Sequence, residues 1–296
     1  MVQRLNHSKG HLMPQRTIVI TGASDGIGAA AARYLARAGD RIVVVGRSPG
    51  KTAAVGAELG VDYLVSDFAE LAQVRELAAA LRERYPRIDV LVNNAGGIMR
   101  GHELTVDGHE KTFQVNHLAP FLLTSELLDI LTASRATIIN TSSAANGFGR
   151  LDLTDLNSER SYSTNRAYGT AKLANILFTA ELQNRYGKDG IAAAAFHPGV
   201  VATNFAAEST SWFRHAYKTV FNRFLISAEQ GADTLVWLAT STPGRDWVPG
   251  AFYVKRALAK ANKQAYDAEL ARSFWDRSLE LVSAGEPLEK PELDNA

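Results

Sequence analysis

Residues 17–28, with the sequence TIVITGASDGIG, decide the fold of this chain. An apolar run is followed at once by Gly22, Gly26 and Gly28. A helix N-terminus attracts anions because its first N–H groups are unpaired and its dipole is positive there. Glycines leave a phosphate room to approach that backbone. The stretch predicts a strand, a phosphate-binding turn and a helix, although its spacing differs from the more familiar Gly-x-Gly-x-x-Gly. An ordinary strand-to-helix turn is the alternative.

Working outward, short apolar runs alternate with longer amphipathic ones. The apolar runs are continuous rather than alternating, which is typical of a parallel sheet covered on both faces. The predicted strands are Thr17–Thr21, Arg41–Gly46, Tyr63–Val65, Val90–Asn93, Thr137–Thr141, Ile191–Phe196 and Gly250–Val254. The predicted helices are Ile27–Ala38, the segment around residues 71–81, Val115–Leu131, Tyr168–Tyr186, Ala228–Ala239 and Ala261–Val282. This order predicts an α/β fold with a single-domain, doubly wound parallel sheet (Rossmann-like) flanked by helices.

Composition narrows the function classes. The chain has 296 residues and a net charge of +1, and no basic block suggests a nucleic-acid partner. It has no cysteine, which excludes disulfides and thiolate metal sites, and no histidine pairs with carboxylates at metal spacing. No apolar run reaches the ~20 residues of a membrane span, and residues 1–16 lack a secretory signal. We expect a cytoplasmic protein with a flexible tail at 1–15 and one domain at 16–296.

The end of the second strand bears on the choice of cofactor. An acidic residue there would accept hydrogen bonds from the 2′-hydroxyl of NAD, whereas this chain has Gly46 followed by Arg47. A guanidinium suits the 2′-phosphate of NADP. The sequence therefore favours NADP(H). A solvated loop arginine is the alternative, and Lys51 either assists or is simply exposed.

A tyrosine and a lysine suggest acid–base chemistry. Tyr168 and Lys172 are four residues apart, so on a helix they share a face. Free tyrosine has a pKa of about 10, and a nearby cation lowers it. The polar strand end at 140–143 places hydroxyls at the carboxyl edge of the sheet, where ligands bind in such folds. The alternatives are a helix-surface pair and a strand-end cap.

Together these stretches resemble the short-chain dehydrogenase/reductase family. In order they are TGASDGIG (21–28), SDF (66–68), NNAG (93–96), QVNHLAPF (114–121), NTSS (140–143), YGTAK (168–172) and HPGVVAT (197–203). The likeness spans about residues 16–254. DGHE (107–110), LANILF (173–178) and the long interval between Ser143 and Tyr168 are similar to the retinol-dehydrogenase-like branch.

The resemblance implies a role for each matching position. The pyrophosphate turn would comprise Gly22, Ser24, Gly26, Ile27 and Gly28. Other cofactor contacts would come from Asp67 at the adenine amine, Asn94 behind the adenosine, Lys172 at the ribose, and Val201 and Thr203 at the carboxamide. Asn116 would hold a water behind Lys172, Ser143 rather than Ser142 would polarise the substrate oxygen, and Tyr168 would be the acid/base. Some NADP-using relatives carry a basic residue inside the glycine turn; here Ser24 and Asp25 leave Arg47 to favour NADP.

The implied function is NADP(H)-dependent hydride transfer between nicotinamide and a carbonyl or alcohol carbon of an apolar small molecule. Residues 203–226, rich in isolated aromatic side chains, are predicted to form a substrate lid. A homo-oligomer is compatible with such a chain. One alternative is a non-catalytic cofactor-sensing or scaffold protein. The presence of Ser143, Tyr168 and Lys172 argues against it. The other is a nucleotide-sugar dehydratase or epimerase, which would need a larger C-terminal domain.

Overall fold

The computed structural model describes residues 15–199 and 226–283, which contain one eight-stranded sheet. The strands are β1 (Thr17–Thr21), β2 (Arg41–Gly46), β3 (Asp62–Val65), β4 (Val90–Asn93), β5 (Thr137–Thr141), β6 (Ala192–His197), β7 (Phe252–Val254) and β8 (Ala257–Leu258). Their order across the sheet is β3-β2-β1-β4-β5-β6-β7-β8. Neighbouring strands from β3 through β7 are parallel, and β8 runs antiparallel to β7. The predicted doubly wound architecture is confirmed.

Helices cover both faces of this sheet. They are α1 (Gly26–Arg37), α2 (Pro49–Leu59), α3 (Leu71–Arg84), α4 (Lys111–Phe113), α5 (Ala119–Glu126), α6 (Leu128–Ser134), α7 (Thr164–Tyr186), α8 (Ala228–Thr240) and α9 (Ala268–Ser283). A π-helical turn, Gln114–Leu118, joins α4 to α5, and 3-10 turns occupy Ala144–Phe148 and Lys263–Tyr266. In these described ranges, no helix has the length and apolar character that crossing a membrane requires.

The continuous apolar strands follow from this double coverage. Successive side chains of a strand point to opposite faces. In β1, Ile18 and Ile20 pack in the core under α1 and α8, while Val19 packs in the opposite core under α3, α5, α7 and α9. Because both faces of the sheet are buried, the strands need apolar side chains at successive positions rather than alternating apolar and polar ones.

The topology creates a crevice at the carboxyl edge of the sheet. β1 pairs with β2 on one side and with β4 on the other, so the chain crosses the sheet between β3 and β4. The loops after β1 and β4 consequently diverge, and ligands of doubly wound sheets bind at such a switch point. The candidate site residues lie around this edge.

The prediction that the third strand is buried on both faces is wrong. Tyr63 is 45% exposed and Val65 is 43% exposed. β3 is the edge strand of the sheet and pairs only with β2. An apolar run alone does not distinguish an edge strand from a central one.

Several helix boundaries also differ from the prediction. The predicted helix Val115–Leu131 is interrupted by the π-helical turn and by a break at Leu127, and the predicted terminal helix Ala261–Val282 begins only at Ala268. α7 starts before Tyr168, at Thr164, because the Ser163 side chain accepts a hydrogen bond from the Arg166 N–H and caps it.

Two elements near the edges of the sheet were not predicted. The antiparallel strand β8 follows β7 after a tight turn, and α2 follows β2. α2 contains glycines that weaken a helical pattern, and one of them has a packing reason. A Cβ on Gly56 would lie 2.7 Å from Cδ1 of Tyr63, so glycine lets β3 approach the helix.

Candidate active site

The glycine turn between β1 and α1 packs directly against the turn that follows β4. Gly22 has a φ of +64°, and a Cβ there would lie 2.8 Å from Cα of Ala95. Asp25 precedes α1, and its Oδ1 accepts a hydrogen bond from the Gly26 N–H at 2.8 Å. Gly28, in the first turn of α1, has no room for a side chain against the Gly22 carbonyl. The bare backbone at this helix N-terminus fits the pyrophosphate of a dinucleotide.

Asn94 connects the glycine turn to β5. Its Nδ2 donates to the carbonyls of Thr21, at 3.0 Å, and Gly22, at 3.2 Å. Its Oδ1 accepts from Thr141 Oγ1 at 3.4 Å, while its N–H donates to Thr21 Oγ1 at 3.0 Å. The side chain of Asn94 therefore holds the glycine turn against the end of β5.

The end of β2 has no space for a side chain at Gly46. A Cβ there would lie 2.7 Å from Cβ of Ser24 and 2.5 Å from Oγ1 of Thr52. The next residue, Arg47, is exposed. Lys51 Nζ lies 3.2 Å from Asp25 Oδ2, and both side chains are more than half exposed. One acidic and two basic side chains thus follow the ends of β1 and β2.

The other residues of the first half that the sequence predicts to bind a cofactor lie along the same edge. Ile27 is half-buried in the first turn of α1. Asp67 follows β3, where its Oδ1 accepts from the Ala69 N–H at 3.0 Å and its own N–H donates to Gln73 Oε1 at 2.9 Å. Val201 and Thr203 lie outside the described residues, as does the predicted lid at 203–226 except for Ile226.

Asn116 occupies the π-helical turn. Its Oδ1 accepts from the Gly97 N–H at 3.1 Å, and its Nδ2 donates to the carbonyls of Gly97, at 2.9 Å, and Thr112, at 2.8 Å. The turn starts from α4, which is capped by the Glu110 carboxylate through the N–H groups of Thr112 and Phe113. Both N–H groups of the Asn116 amide are therefore used within the protein, whereas its Oδ1 can accept a second hydrogen bond.

Tyr168 and Lys172 face each other on α7. The Nζ atom of Lys172 is 5.5 Å from the centre of the Tyr168 ring, and it donates to the Thr141 carbonyl at 3.2 Å. Lys172 is 2% exposed, and burial lowers its pKa to about 7. A buried amine that titrates near neutrality can influence the ionisation of the phenol beside it.

The two serines at the end of β5 have different surroundings. Ser142 is buried, and its Oγ donates to the Lys172 carbonyl at 2.7 Å. Ser143 is half-buried, and its Oγ accepts from the Ala145 N–H at 3.2 Å. Ser142 is therefore used to join β5 to α7, whereas the donor capacity of the Ser143 hydroxyl is available for a substrate oxygen.

A glycine pair brings the Ser143 turn against α7. A Cβ on Gly149 would lie 2.6 Å from the carbonyl carbon of Gly169, and a Cβ on Gly169 would lie 2.7 Å from the Ala145 carbonyl oxygen. The glycine inside YGTAK is thus explained by packing. Because Gly169 follows Tyr168 directly, this contact places the phenol beside the serine turn.

A cavity of about 550 Å³ opens next to Ser143. It is lined by Ala144, Asn146, Gly147, Phe252, Val254, Lys260, Ala261, Asn262 and Lys263. The Asn262 N–H donates to Asn146 Oδ1 at 2.8 Å, which holds the segment before α9 against the serine turn. The cavity adjoins the turn that begins at Ser143, through Ala144, Asn146 and Gly147.

A buried polar ladder below the site was missed by the sequence reasoning. Asn93 donates to Asn140 Oδ1 at 2.9 Å, Asn140 donates to Thr179 Oγ1 at 2.9 Å, and Thr179 donates to the Asn175 carbonyl at 2.7 Å. These side chains align β4, β5 and α7. Polar residues at the ends of apolar strands were the available signal.

The DGHE stretch also has a structural explanation in this fold. Asp107 Oδ2 accepts from the Leu71 N–H at 2.9 Å and from Gln114 Nε2 at 2.7 Å, joining α3 to the π-helical turn. Glu110 caps α4, as described above. Both carboxylates therefore hold the segment that positions Asn116.

Comparison with known proteins gives close relatives. A protein of Streptomyces sp. (strain C5), assigned as a daunorubicin C-13 ketoreductase, is 44% identical over 91% of this chain and 93% of its own length. Human retinol dehydrogenase 13 is 36% identical over 93% of this chain and 87% of its own length.

Two solved structures share the fold. A crystal structure of an uncharacterised protein from Mycobacterium paratuberculosis has a TM-score of 0.74 and 34% identity, covering 91% of this chain and 94% of its own. The Pseudomonas aeruginosa RhlG/NADP active-site complex has a TM-score of 0.64 and 25% identity. The match covers 80% of this chain and 93% of that chain.

The family assignment rests on most of the chain. Residues 16–214 match the short chain dehydrogenase family, and the relatives named above include a ketoreductase and a retinol dehydrogenase. Members with these names transfer hydride to or from a carbonyl or alcohol carbon. The chain belongs to the short-chain dehydrogenase family, in its retinol-dehydrogenase-like branch, and is an oxidoreductase.

Proposed function

We propose that this protein is an NADP(H)-dependent oxidoreductase that interconverts a carbonyl and an alcohol on an apolar small molecule. The observation that carries the proposal is Lys172, a buried amine held 5.5 Å from the centre of the Tyr168 ring at the carboxyl edge of the sheet. A buried cation is costly to maintain. The need to lower the pKa of the Tyr168 phenol gives a physical reason for a lysine at this buried position.

The reacting groups follow from this arrangement. A bound nicotinamide cofactor would supply the hydride that reduces the carbonyl carbon. Tyr168 gives its phenolic proton to the carbonyl oxygen, and the Ser143 hydroxyl donates a hydrogen bond to that oxygen. Lys172 favours the phenolate that remains. Asn116 holds a water that returns a proton to Tyr168 by way of Lys172. Oxidation of an alcohol reverses each transfer.

The cofactor would lie across the strand ends. The glycine turn, with Gly22, Ser24, Gly26, Ile27 and Gly28, would hold the pyrophosphate. Asp67 and Asn94 would flank the adenosine, Lys172 would bind the ribose, and Val201 and Thr203 would bind the carboxamide. Arg47 would pair with the 2′-phosphate and so favour NADP(H), in keeping with the NADP complex of the related Pseudomonas protein.

The substrate would occupy the cavity beside Ser143. Its lining includes the apolar residues Phe252 and Val254 of β7 together with Lys260 and Lys263. Relatives are named for daunorubicin, which contains a fused ring system, and for retinol, which is largely apolar. We propose that residues 203–226 close over such a substrate and exclude water.

Tyr168→Phe tests the assignment. The change keeps the ring and the helix packing but removes the hydroxyl, so NADPH binding and the melting temperature should be retained. Single-turnover reduction of an accepted aldehyde or ketone should slow by at least ~10²-fold. Lys172→Ala should reduce both turnover and NADPH affinity. Tyr186→Phe, at the other end of α7, is the matched control. A Tyr168→Phe variant with the wild-type rate would leave a binding protein or a different enzyme on the same sheet.

A further inference from the structure

The side chain of Asn175 joins α7 and the π-helical turn, which carry proposed site residues, to the end of β5, which precedes Ser143. Asn175 lies on α7 one turn after Lys172 and is 3% exposed. Its Nδ2 donates to the Asn116 carbonyl in the π-helical turn and to the Thr141 carbonyl at the end of β5, both at 3.0 Å. Lys172 Nζ donates to the same Thr141 carbonyl. One amide therefore holds both carbonyls around the lysine.

These contacts determine which way the amide points. Backbone carbonyls only accept hydrogen bonds, so Nδ2 must face Asn116 and Thr141. The amide oxygen consequently faces Nδ1 of His117, at 3.3 Å. Since that oxygen only accepts, Nδ1 must carry the hydrogen.

The C-terminal helix completes the chain of hydrogen bonds. His117 is fully buried against the ring of Phe274, and burial lowers its pKa to about 3, so the ring is neutral near neutral pH. With the hydrogen on Nδ1, its Nε2 accepts from Ser278 Oγ on α9, at 3.1 Å. The Ser278 hydroxyl also donates to the Phe274 carbonyl at 2.8 Å, so its hydrogen is shared between, or alternates between, that carbonyl and Nε2. Both ring nitrogens of His117 thereby have partners.

We propose that Asn175 is a positioning residue for Lys172, and that His117 and Ser278 fix the orientation of its amide. The proposal rests on the proposed function, in which Lys172 acts beside Tyr168. The Thr141 carbonyl is a hydrogen-bond acceptor of the lysine amine, so its direction determines where the amine sits. Asn175 holds that carbonyl from the other side.

The surroundings of Lys172 make it sensitive to this hydrogen bond. Its lowered pKa comes from burial, with no charged neighbour contributing among the described residues. Of the described elements that pack around it, α7 contributes the titratable Tyr168, and the π-helical turn contributes His117, which reaches it only through Asn175. β5 contributes carbonyls and hydroxyls. A small displacement of one carbonyl therefore changes a large share of the polar contacts of this amine.

His117→Phe is the central test because it preserves an aromatic ring among aromatic neighbours while it deletes the Nδ1 donor to Asn175, together with the Nε2 contact to Ser278. Asn175→Leu removes the amide itself, and His117→Gln restores a side-chain N–H near the same place. Ser134→Ala is the matched control: it deletes another buried hydrogen bond, from the Ile88 N–H at 3.2 Å, on α6.

Three measurements separate positioning from packing. They are the Lys172 pKa, from NMR of the cofactor-free protein with labelled lysine, the pH profile of kcat with NADPH, and the melting temperature. In His117→Phe and Asn175→Leu we expect the lysine pKa to move by more than ~0.5 units and kcat to fall by roughly tenfold to a hundredfold. His117→Gln should recover part of both. Ser134→Ala should lower the melting temperature and leave the other two unchanged.

Folded His117→Phe with the wild-type lysine pKa and kcat profile would overturn the proposal, whatever Asn175→Leu does. Failure of the proposed function has a different signature. In that case wild-type protein would reduce no carbonyl with NADPH, or Tyr168→Phe would be as fast as wild type. The NMR measurement on cofactor-free protein would still report whether Asn175 positions the lysine.

Discussion

Lys172 donates a hydrogen bond to the Thr141 carbonyl while its amine lies 5.5 Å from the centre of the Tyr168 ring. Burial lowers the pKa of this amine from 10.5 to about 7. The folded state thus disfavours the charge that the unfolded chain carries freely. Burying the Lys172 amine therefore favours its proposed role beside Tyr168 but lowers the stability of the folded protein.

Lys172→Met should therefore stabilise the cofactor-free protein while abolishing turnover. Methionine fills a similar volume without a charge, and Asn175 still donates to the Thr141 carbonyl. Below pH 7 both states of the wild type carry the charge, so the cost is largest there. Between pH 7 and 10.5 only the unfolded state is protonated, so the cost shrinks as pH rises. A gain of at least ~2 °C in melting temperature is expected at pH 6. A Lys172→Met variant that is less stable than wild type at pH 6 and equally stable at pH 10 would contradict the predicted stabilisation.

Cofactor preference should change at Arg47 and not at Gly46. Arg47→Asp removes a phosphate partner from an exposed position and should weaken NADPH binding roughly tenfold or more, with NADH less affected. Gly46→Asp places the acid where NAD enzymes carry it, but its Cβ would collide with Ser24 and Thr52. That variant should lose affinity for both cofactors. Titration of intrinsic fluorescence with NADPH and NADH measures both affinities for the wild type and for each variant. Equal NADPH and NADH affinities in the wild type would contradict the preference itself.

Asp25→Asn should tighten NADPH binding. The carboxylate pairs with Lys51 at 3.2 Å and places a negative charge at the turn proposed for phosphate. Asparagine retains the capability to cap α1 and removes the charge. We expect NADPH affinity to rise about threefold to tenfold, with the gain falling at high salt. Glu58→Gln, which also removes an exposed acid paired to an arginine, is the control. Unchanged or weaker NADPH binding in Asp25→Asn would exclude this effect of the carboxylate.

Acid should destabilise the protein in part through His117. Burial lowers the pKa of this ring from 6.5 to about 3. The unfolded chain therefore binds a proton that the folded chain does not, and stability is lost as pH falls from 6.5 towards 3. His117→Phe should show a smaller fall in melting temperature between pH 7 and 4 than wild type does. His102 is exposed, so His102→Phe should show the same fall in melting temperature between pH 7 and 4 as the wild type.

Continuous apolar strands were enough to predict the sheet, because residues such as Ile18 and Val19 must be buried on opposite faces. The site was less accessible to sequence reasoning. Asn175 is a polar residue in an apolar run, and nothing in its neighbours indicates that it contacts Asn116, far away in the chain. The exposed edge at β3 and the break in the helix after Asn116 depend equally on which elements meet in space.

Other predictions from the sequence stay predictions. They are the single domain with a tail at 1–15, the individual roles of the site residues, NADP over NAD, the cytoplasmic location and a homo-oligomer. Val201, Thr203 and most of the lid lie outside the described residues. The experiments above address the roles and the cofactor directly.

The contact between Ser278 and His117 also has a consequence for synthesis on the ribosome. Every proposed catalytic residue emerges before α9 does. Until then the rings of Phe113, Phe121 and Phe178 lack the partners that Phe274 and Trp275 later provide. A nascent chain stalled before residue 268 should consequently expose this aromatic surface and bind chaperones that recognise it. We therefore expect this aromatic surface to become fully packed only after α9 has been synthesised.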